Sequence, residues 1–81
     1  MIIGIVTGSL WATKKDDSLN GHKLMIVTTD QRRNIVATDK IGAGIGDKVL
    51  LCFGHAAQNA AKTAVDAAIV GIIDSIETER Q

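Results

Sequence analysis

The chain has 81 residues, a formal net charge of zero and one cysteine, Cys52. A chain of this length forms one small domain, here residues 1–81, with only a modest buried core. A single cysteine excludes a disulfide within the chain, and zero net charge gives no global basic field to attract nucleic acid or an anionic membrane. Small domains without disulfides or structural metals often depend on oligomerisation for their stability.

The N-terminal segment, residues 2–11, predicts a first strand because β-branched residues are frequent in it. Strict alternation would place Val6 and Leu10 on one face and Ile5 and Trp11 on the other. The two glycines of this segment fall on the Val6 face and indicate tight curvature or close packing there. The segment has no basic residues, which argues against a signal peptide, and no stretch of the chain approaches the roughly 18 apolar residues of a membrane-spanning helix.

The rest of the chain predicts four more strands and one short helix. An Asn-Gly turn closes the polar loop after the first strand, and a run rich in alanine, without a β-branched residue until Thr63, predicts the helix. The predicted strands are residues 23–30, 34–39, 48–53 and 67–76, and the predicted helix is residues 55–64.

Five strands with one short helix before the last predict a mainly β fold, a small OB-like barrel. A barrel has one interior, so its outer face should be polar if it stands alone in water. In the fourth strand, however, Val49 and Leu51 alternate with Leu50 and Cys52, so both faces are apolar. We therefore predict an obligate oligomer, with burial against a different permanent partner as the alternative.

Residues 39–47, DKIGAGIGD, place three glycines at alternate positions. Such a stretch either turns sharply or allows close approach by a phosphate, another part of the chain or a neighbouring subunit. The spacing is G-x-G-x-G and a strand follows, whereas a dinucleotide loop is G-x-G-x-x-G and opens a helix. We therefore predict a structural turn at a subunit contact. The predicted interface or pore residues are Gly42, Ala43, Gly44, Ile45, Gly46 and Asp47.

Catalytic chemistry has one candidate pair, Cys52 and His55, at a spacing that allows a nucleophile and a base. Cys52 lies in an apolar strand, where a small buried thiol is common, and no third residue stands out to orient His55. The histidines and the cysteine do not have metal-ligand spacing. Aspartates such as Asp39 stand at strand ends, where they cap turns, whereas Asp74 falls inside the predicted last strand. We predict no catalytic residue, no metal site and no cofactor.

Single-stranded nucleic-acid binding is the alternative function for an OB-like barrel. Such barrels bind through basic grooves with stacking aromatic side chains. The aromatics here are Trp11 and Phe53 alone, and the basic doublets are residues 14–15 and 32–33, the first of them offset by the acidic pair 16–17. We predict no nucleic-acid partner, and keep this binding module as the alternative.

Motifs spread over nearly the whole chain resemble the EutN/CcmL family, the pentameric vertex proteins of bacterial microcompartment shells. The closing segment VDAAIVGIID and the glycine element GAGIGD are specific when they occur together. The motifs that carry the resemblance are IGIVTG at residues 3–8, ATKK at 12–15, SLNG at 18–21, VATD at 36–39, GAGIGD at 42–47 and VDAAIVGIID at 65–74.

The resemblance implies an OB-like barrel that assembles into a five-fold ring with a narrow central pore and performs no chemistry. Such a homopentamer would cap the vertices of a microcompartment in the cytoplasm, with hexameric shell proteins as neighbours and no membrane partner. Contacts with those neighbours are expected in the segment after the first strand. The candidates are Thr13, Lys14, Lys15 and Leu19.

Overall fold

The computed structural model describes residues 1–11, 21, 23–54, 57 and 66–78. Five strands close into a barrel in the order β1-β2-β3-β5-β4, and every neighbouring pair is antiparallel except β3 and β5. The predicted five-stranded barrel is thereby confirmed. The strands are β1 (Ile2–Leu10), β2 (Lys23–Thr29), β3 (Asn34–Asp39), β4 (Lys48–Phe53) and β5 (Ala67–Ile72).

The helix predicted at residues 55–64 lies outside the described residues apart from Ala57, which is fully buried. Ala57 packs with Cys52 of β4 and Ala68 of β5 in a small cluster separate from the main core. This cluster covers part of the outer face of β4, which the sequence presents as apolar. In the described part of the chain, no helix has the length and apolar character needed to cross a membrane.

The predicted boundaries of β3 and β4 are confirmed, whereas β5 ends four residues before the predicted end at residue 76. Strand β5 pairs along β4, and β4 begins only at Lys48. The Ile73 N–H donates to the Lys48 carbonyl oxygen at 2.8 Å, and beyond that point β4 offers no further partner. Asp74 therefore lies past the strand and is exposed, so its predicted place inside the last strand is wrong.

The barrel interior is filled by alternate residues of the strands. Its largest fully buried apolar side chains, each at most 1% exposed, are Val6, Met25, Val27, Val49 and Leu51. A Cβ built on Gly4 of β1 would lie 2.5 Å from Cγ1 of Val27. The close packing predicted on the Val6 face is confirmed at this glycine.

A β-bulge at Thr7 reverses the alternation of β1. Pairing with β2 runs from Val6 opposite Val27 directly to Gly8 opposite Ile26, so Thr7 is the extra residue. An extra residue in one strand turns every later side chain to the other face. Leu10 therefore lies on the outer face and is 41% exposed, while Val6 is buried. The prediction that Val6 and Leu10 share a face is wrong for this reason.

Candidate subunit-contact site

The connection between β3 and β4, residues 40–47, is the glycine loop, and Asp39 anchors its first half. Asp39 is the last residue of β3 and is only 5% exposed. Its Oδ1 accepts hydrogen bonds from the N–H groups of Ile41 and Gly42 at 2.9 and 3.1 Å, and its Oδ2 accepts one from Ala43 at 2.8 Å. A carboxylate that captures three successive N–H groups fixes the backbone of the loop.

Asp47 fixes the second half of the loop. Its Oδ2 accepts the Gly44 N–H at 2.8 Å, and its own N–H donates to the Gly44 carbonyl oxygen at 3.0 Å. The loop is then joined to β1, because the Gly46 N–H donates to the Val6 carbonyl at 2.8 Å and the Val6 N–H donates to the Asp47 carbonyl at 2.9 Å. The loop is therefore ordered before any partner binds, which lowers the entropy cost of a contact.

The three glycines of the loop have two different roles. Gly42 and Gly46 have φ angles of 96° and 95°, in the left-handed region that side chains with a Cβ disfavour. Gly44 does not adopt a positive φ, and a Cβ there would lie 3.8 Å from Oδ2 of Asp47, an ordinary contact distance. The turn therefore requires glycine at positions 42 and 46, whereas nothing in the described part of the protomer requires it at position 44.

The loop directs its apolar residues both inward and outward. Ala43 is fully buried in the main core of its own barrel. Ile45 is 70% exposed and Ile41 is 52% exposed. Ile41 was not among the residues predicted from the sequence. Its exposure could have been predicted, because the glycines of the turn are too small to cover an isoleucine.

The other predicted residues divide between the described and undescribed parts of the chain. Cys52 is 4% exposed, as its apolar strand predicted, while His55 lies outside the described residues. The candidate shell contacts Thr13, Lys14, Lys15 and Leu19 also lie outside them. Within the described residues there is no group of three or more His, Cys, Asp or Glu side chains that could hold a metal ion.

Comparison with known proteins gives one consistent result. The protein family described as ethanolamine utilisation protein EutN/carboxysome matches residues 1–74. The bacterial microcompartment shell vertex protein GrpN of Rhodospirillum rubrum is 38% identical over 87 residues, covering 96% of this chain and 98% of GrpN. The carboxysome shell vertex protein CcmL of a Nostoc species is 37% identical over 89 residues, covering 98% of this chain and 88% of CcmL.

A solved structure agrees with these relatives. The structure described as the GrpN pentameric microcompartment shell protein from Rhodospirillum rubrum superposes with a TM-score of 0.86 at 35% identity. The superposition covers 98% of this chain and 100% of that chain. The similarity therefore extends over the whole barrel, including the glycine loop.

Proposed function

Because this chain belongs to the EutN/CcmL family of shell proteins, we propose that it assembles into a cyclic homopentamer that caps the vertices of a bacterial microcompartment. Its relative GrpN is a pentameric microcompartment shell protein, and its relative CcmL is a carboxysome shell vertex protein. The chain is a structural shell protein rather than an enzyme. It acts in the shell of a compartment within the cytoplasm.

The observation that carries the proposal is the exposure of large aliphatic side chains on ordered backbone. Ile3 and Ile5 are 43% and 45% exposed on the outer face of β1, and Val36 is 47% exposed on β3. Apolar side chains grouped on the surface of a small protein mark interaction sites. Assembly into a ring supplies the cover that one barrel cannot supply for itself.

A ring also accounts for exposed apolar side chains on two different strands, β1 and β3. Subunits of a closed five-fold ring contact each other head to tail, so one surface of each barrel covers a different surface of the next. Flat sheets of hexagonal tiles close into a polyhedron only at five-fold corners, so we propose hexameric shell proteins as neighbours. We propose no nucleic-acid or membrane partner, because the chain has zero net charge.

We propose that the glycine loop forms part of the subunit contact or surrounds the central pore. Its exposed Ile45 supplies apolar surface, and its hydrogen bonds to Asp39 and Asp47 hold that surface in place. Ala43 supports the loop from inside the core. The proposed contact residues are therefore Gly42, Gly44, Ile45, Gly46 and Asp47, with Thr13, Lys14, Lys15 and Leu19 as proposed contacts to neighbouring shell proteins.

The test is the replacement Gly44→Val, measured by native mass spectrometry of the purified protein. Gly44 has no positive φ, and a Cβ there would make only an ordinary contact with Oδ2 of Asp47 at 3.8 Å, so the folded protomer tolerates a side chain there. We expect the wild type to have the mass of five chains and Gly44→Val to lose that mass, because the added side chain occupies space that the neighbouring subunit needs.

The matched control is Ser75→Val, which introduces the same residue at an exposed position beyond β5. We expect this control to keep the mass of five chains, and circular dichroism to show the same β content in both variants. A wild type that is a monomer at micromolar concentration would contradict the proposed function. A pentamer that survives Gly44→Val would contradict only the proposed role of the loop.

A further inference from the structure

A groove of about 420 Å³ lies at the beginning of β1, on the outer face of the barrel. Two exposed isoleucines of β1 contribute to its lining, and polar groups stand among its other residues. An apolar groove edged by polar groups has the composition of a site that receives a buried side chain. The main lining residues are Ile3, Ile5, Thr7, Thr28, Asp30 and Lys48.

One side of this groove is a row of hydrogen-bonded polar side chains. The Thr28 hydroxyl donates to Oδ1 of Asn34 at 2.9 Å, and the Thr7 hydroxyl oxygen lies 2.9 Å from that of Thr28. The row crosses β1, β2 and β3 on their outer faces. It separates the groove at the beginning of β1 from the apolar surface at the end of β1, so the two regions form distinct patches.

The second patch is at the end of β1, where Trp11 is 93% exposed beside the 41% exposed Leu10. Trp11 is the only tryptophan in the chain. Tryptophan buries roughly 150–250 Å² when it is covered, and it is enriched among the few residues that dominate protein interfaces. Covering Trp11 therefore provides more apolar area than covering any other single side chain of this protein.

Trp11 does not reach the groove of its own protomer. Ile5 and Trp11 are six positions apart on the chain, and nearly all of that distance is extended strand, so they are separated by about 20 Å. Strand β1 is paired with β4 from Ile2 to Ile5 and with β2 from Gly4 to Leu10, and this pairing keeps it extended up to the residue before Trp11. Trp11 of the same protomer is therefore not the occupant of the groove, whereas Trp11 of a second copy is a side chain of suitable size and character.

We propose that Trp11 of one protomer seats in the groove at the beginning of β1 of the next protomer around the ring. This inference rests on the proposed homopentamer and names a contact within it. The two halves of the contact are opposite ends of the same strand, and they are unlike in shape and chemistry. A contact between unlike surfaces is heterologous, and a closed ring such as the proposed homopentamer is built from contacts of this kind.

Because Trp11 is the only tryptophan, the fluorescence of the protein reports directly on whether this side chain is covered. We propose to measure quenching of Trp11 fluorescence by acrylamide in the assembled wild type and in Ile5→Glu, together with the native mass of each. We expect the quenching constant to be at least three-fold lower in the wild-type pentamer than in Ile5→Glu. We expect Ile5→Glu to lose the mass of five chains, because a carboxylate in the groove excludes the indole.

The matched control is Ile76→Glu, which makes the same change at a 52% exposed isoleucine beyond β5. We expect it to keep both the pentameric mass and the shielded tryptophan. Trp11→Ala supplies a second variant that leaves the groove intact, and we expect its pentamer to dissociate at protein concentrations at least ten-fold above those for the wild type.

Two results would overturn the inference while leaving the proposed function intact. One is a wild-type pentamer whose tryptophan is quenched as readily as free tryptophan, a measurement that needs no variant to fold. The other is a pentameric Ile5→Glu protein with a shielded tryptophan, because Trp11 would then be covered elsewhere. A monomeric wild type would instead overturn the proposed function and the inference with it.

Discussion

Asp39 holds three backbone N–H groups with one buried carboxylate, and we expect its replacement to reveal how much the glycine loop depends on it. Asp39→Ala removes all three acceptor contacts at once. Asp39→Asn keeps an oxygen that can serve Ile41 and Gly42, but places an NH₂ group against the Ala43 N–H. The two variants therefore remove different parts of the same anchor.

The size of each effect follows from where the three donors lie. The hydrogen bonds from Ile41 and Gly42 are part-buried, so water replaces them at a lower cost than the bond from Ala43, which is buried. A buried donor left without a partner costs about 1–3 kcal/mol, and each bond to a charged acceptor contributes about 1.5–3 kcal/mol. We expect Asp39→Ala to lower the free energy of unfolding by about 3 kcal/mol and Asp39→Asn by about 2 kcal/mol.

Urea unfolding at one fixed protein concentration measures these changes, because the stability of an oligomer depends on concentration. Asp74→Ala is the control, since Asp74 is an exposed aspartate past the end of β5, and we expect a change of at most about 0.5 kcal/mol. The reasoning would be refuted if Asp39→Ala unfolded within about 0.5 kcal/mol of the wild type.

Two further replacements test local backbone and packing, and the same urea assay measures both. Gly4→Ala places a Cβ 2.5 Å from Cγ1 of the buried Val27, so we expect it to lower the free energy of unfolding by about 1–3 kcal/mol; no change would show that β1 can move away from β2. Arg32 has a φ of 61° at the turn between β2 and β3, so we expect Arg32→Gly to stabilise the protein by about 0.5–1 kcal/mol. Arg32→Ala keeps the Cβ and should give no such gain, and equal effects of the two changes would contradict the strain argument.

The two strands whose boundaries were predicted correctly from the sequence, β3 and β4, have clear turn signals beside them. Strand β3 lies between the short turn at residues 30–33 and the glycine loop, and β4 begins directly after that loop. The apolar pattern of β5 continues through Ile73 to Ile76, so periodicity alone extended the strand too far. The end of β5 is set by the residue at which β4 begins. This depends on the pairing of two strands and cannot be predicted from the local sequence.

The face of Leu10 could not be predicted, because a bulge is a property of the pairing between strands. Residues 2–11 are apolar in part on both faces and so define no register by themselves, and only the pairing with β2 shows that Thr7 is extra. The position of Gly8 directly after the bulge was the one local hint, since glycine inside a strand often marks such a site. Because the sequence alone does not reveal the bulge, regular alternation assigns the end of β1 to the wrong face.

The glycine loop shows a similar division between local and tertiary information. Alternate glycines correctly indicated a turn, and the structure assigns that need to Gly42 and Gly46 through their positive φ angles. Aspartate at a strand end correctly indicated a cap. The burial of Ala43 was not predictable, because a short loop turns a single side chain inward only where the neighbouring strands leave space for it.

The arrangement of β1 links the stability of the barrel to its assembly. Its inward residues, Gly4 and Val6, pack against β2 in the core, while Ile3 and Ile5 face outward beside them. The core has no fully buried aromatic side chain among the described residues, so it provides less apolar burial than aromatic cores of similar size. If a ring covers the outer isoleucines, it buries additional apolar area on β1, the strand whose inward residues pack in the core. We therefore expect variants that weaken the ring also to unfold at lower urea concentration, even where the substituted side chain touches nothing inside its own protomer.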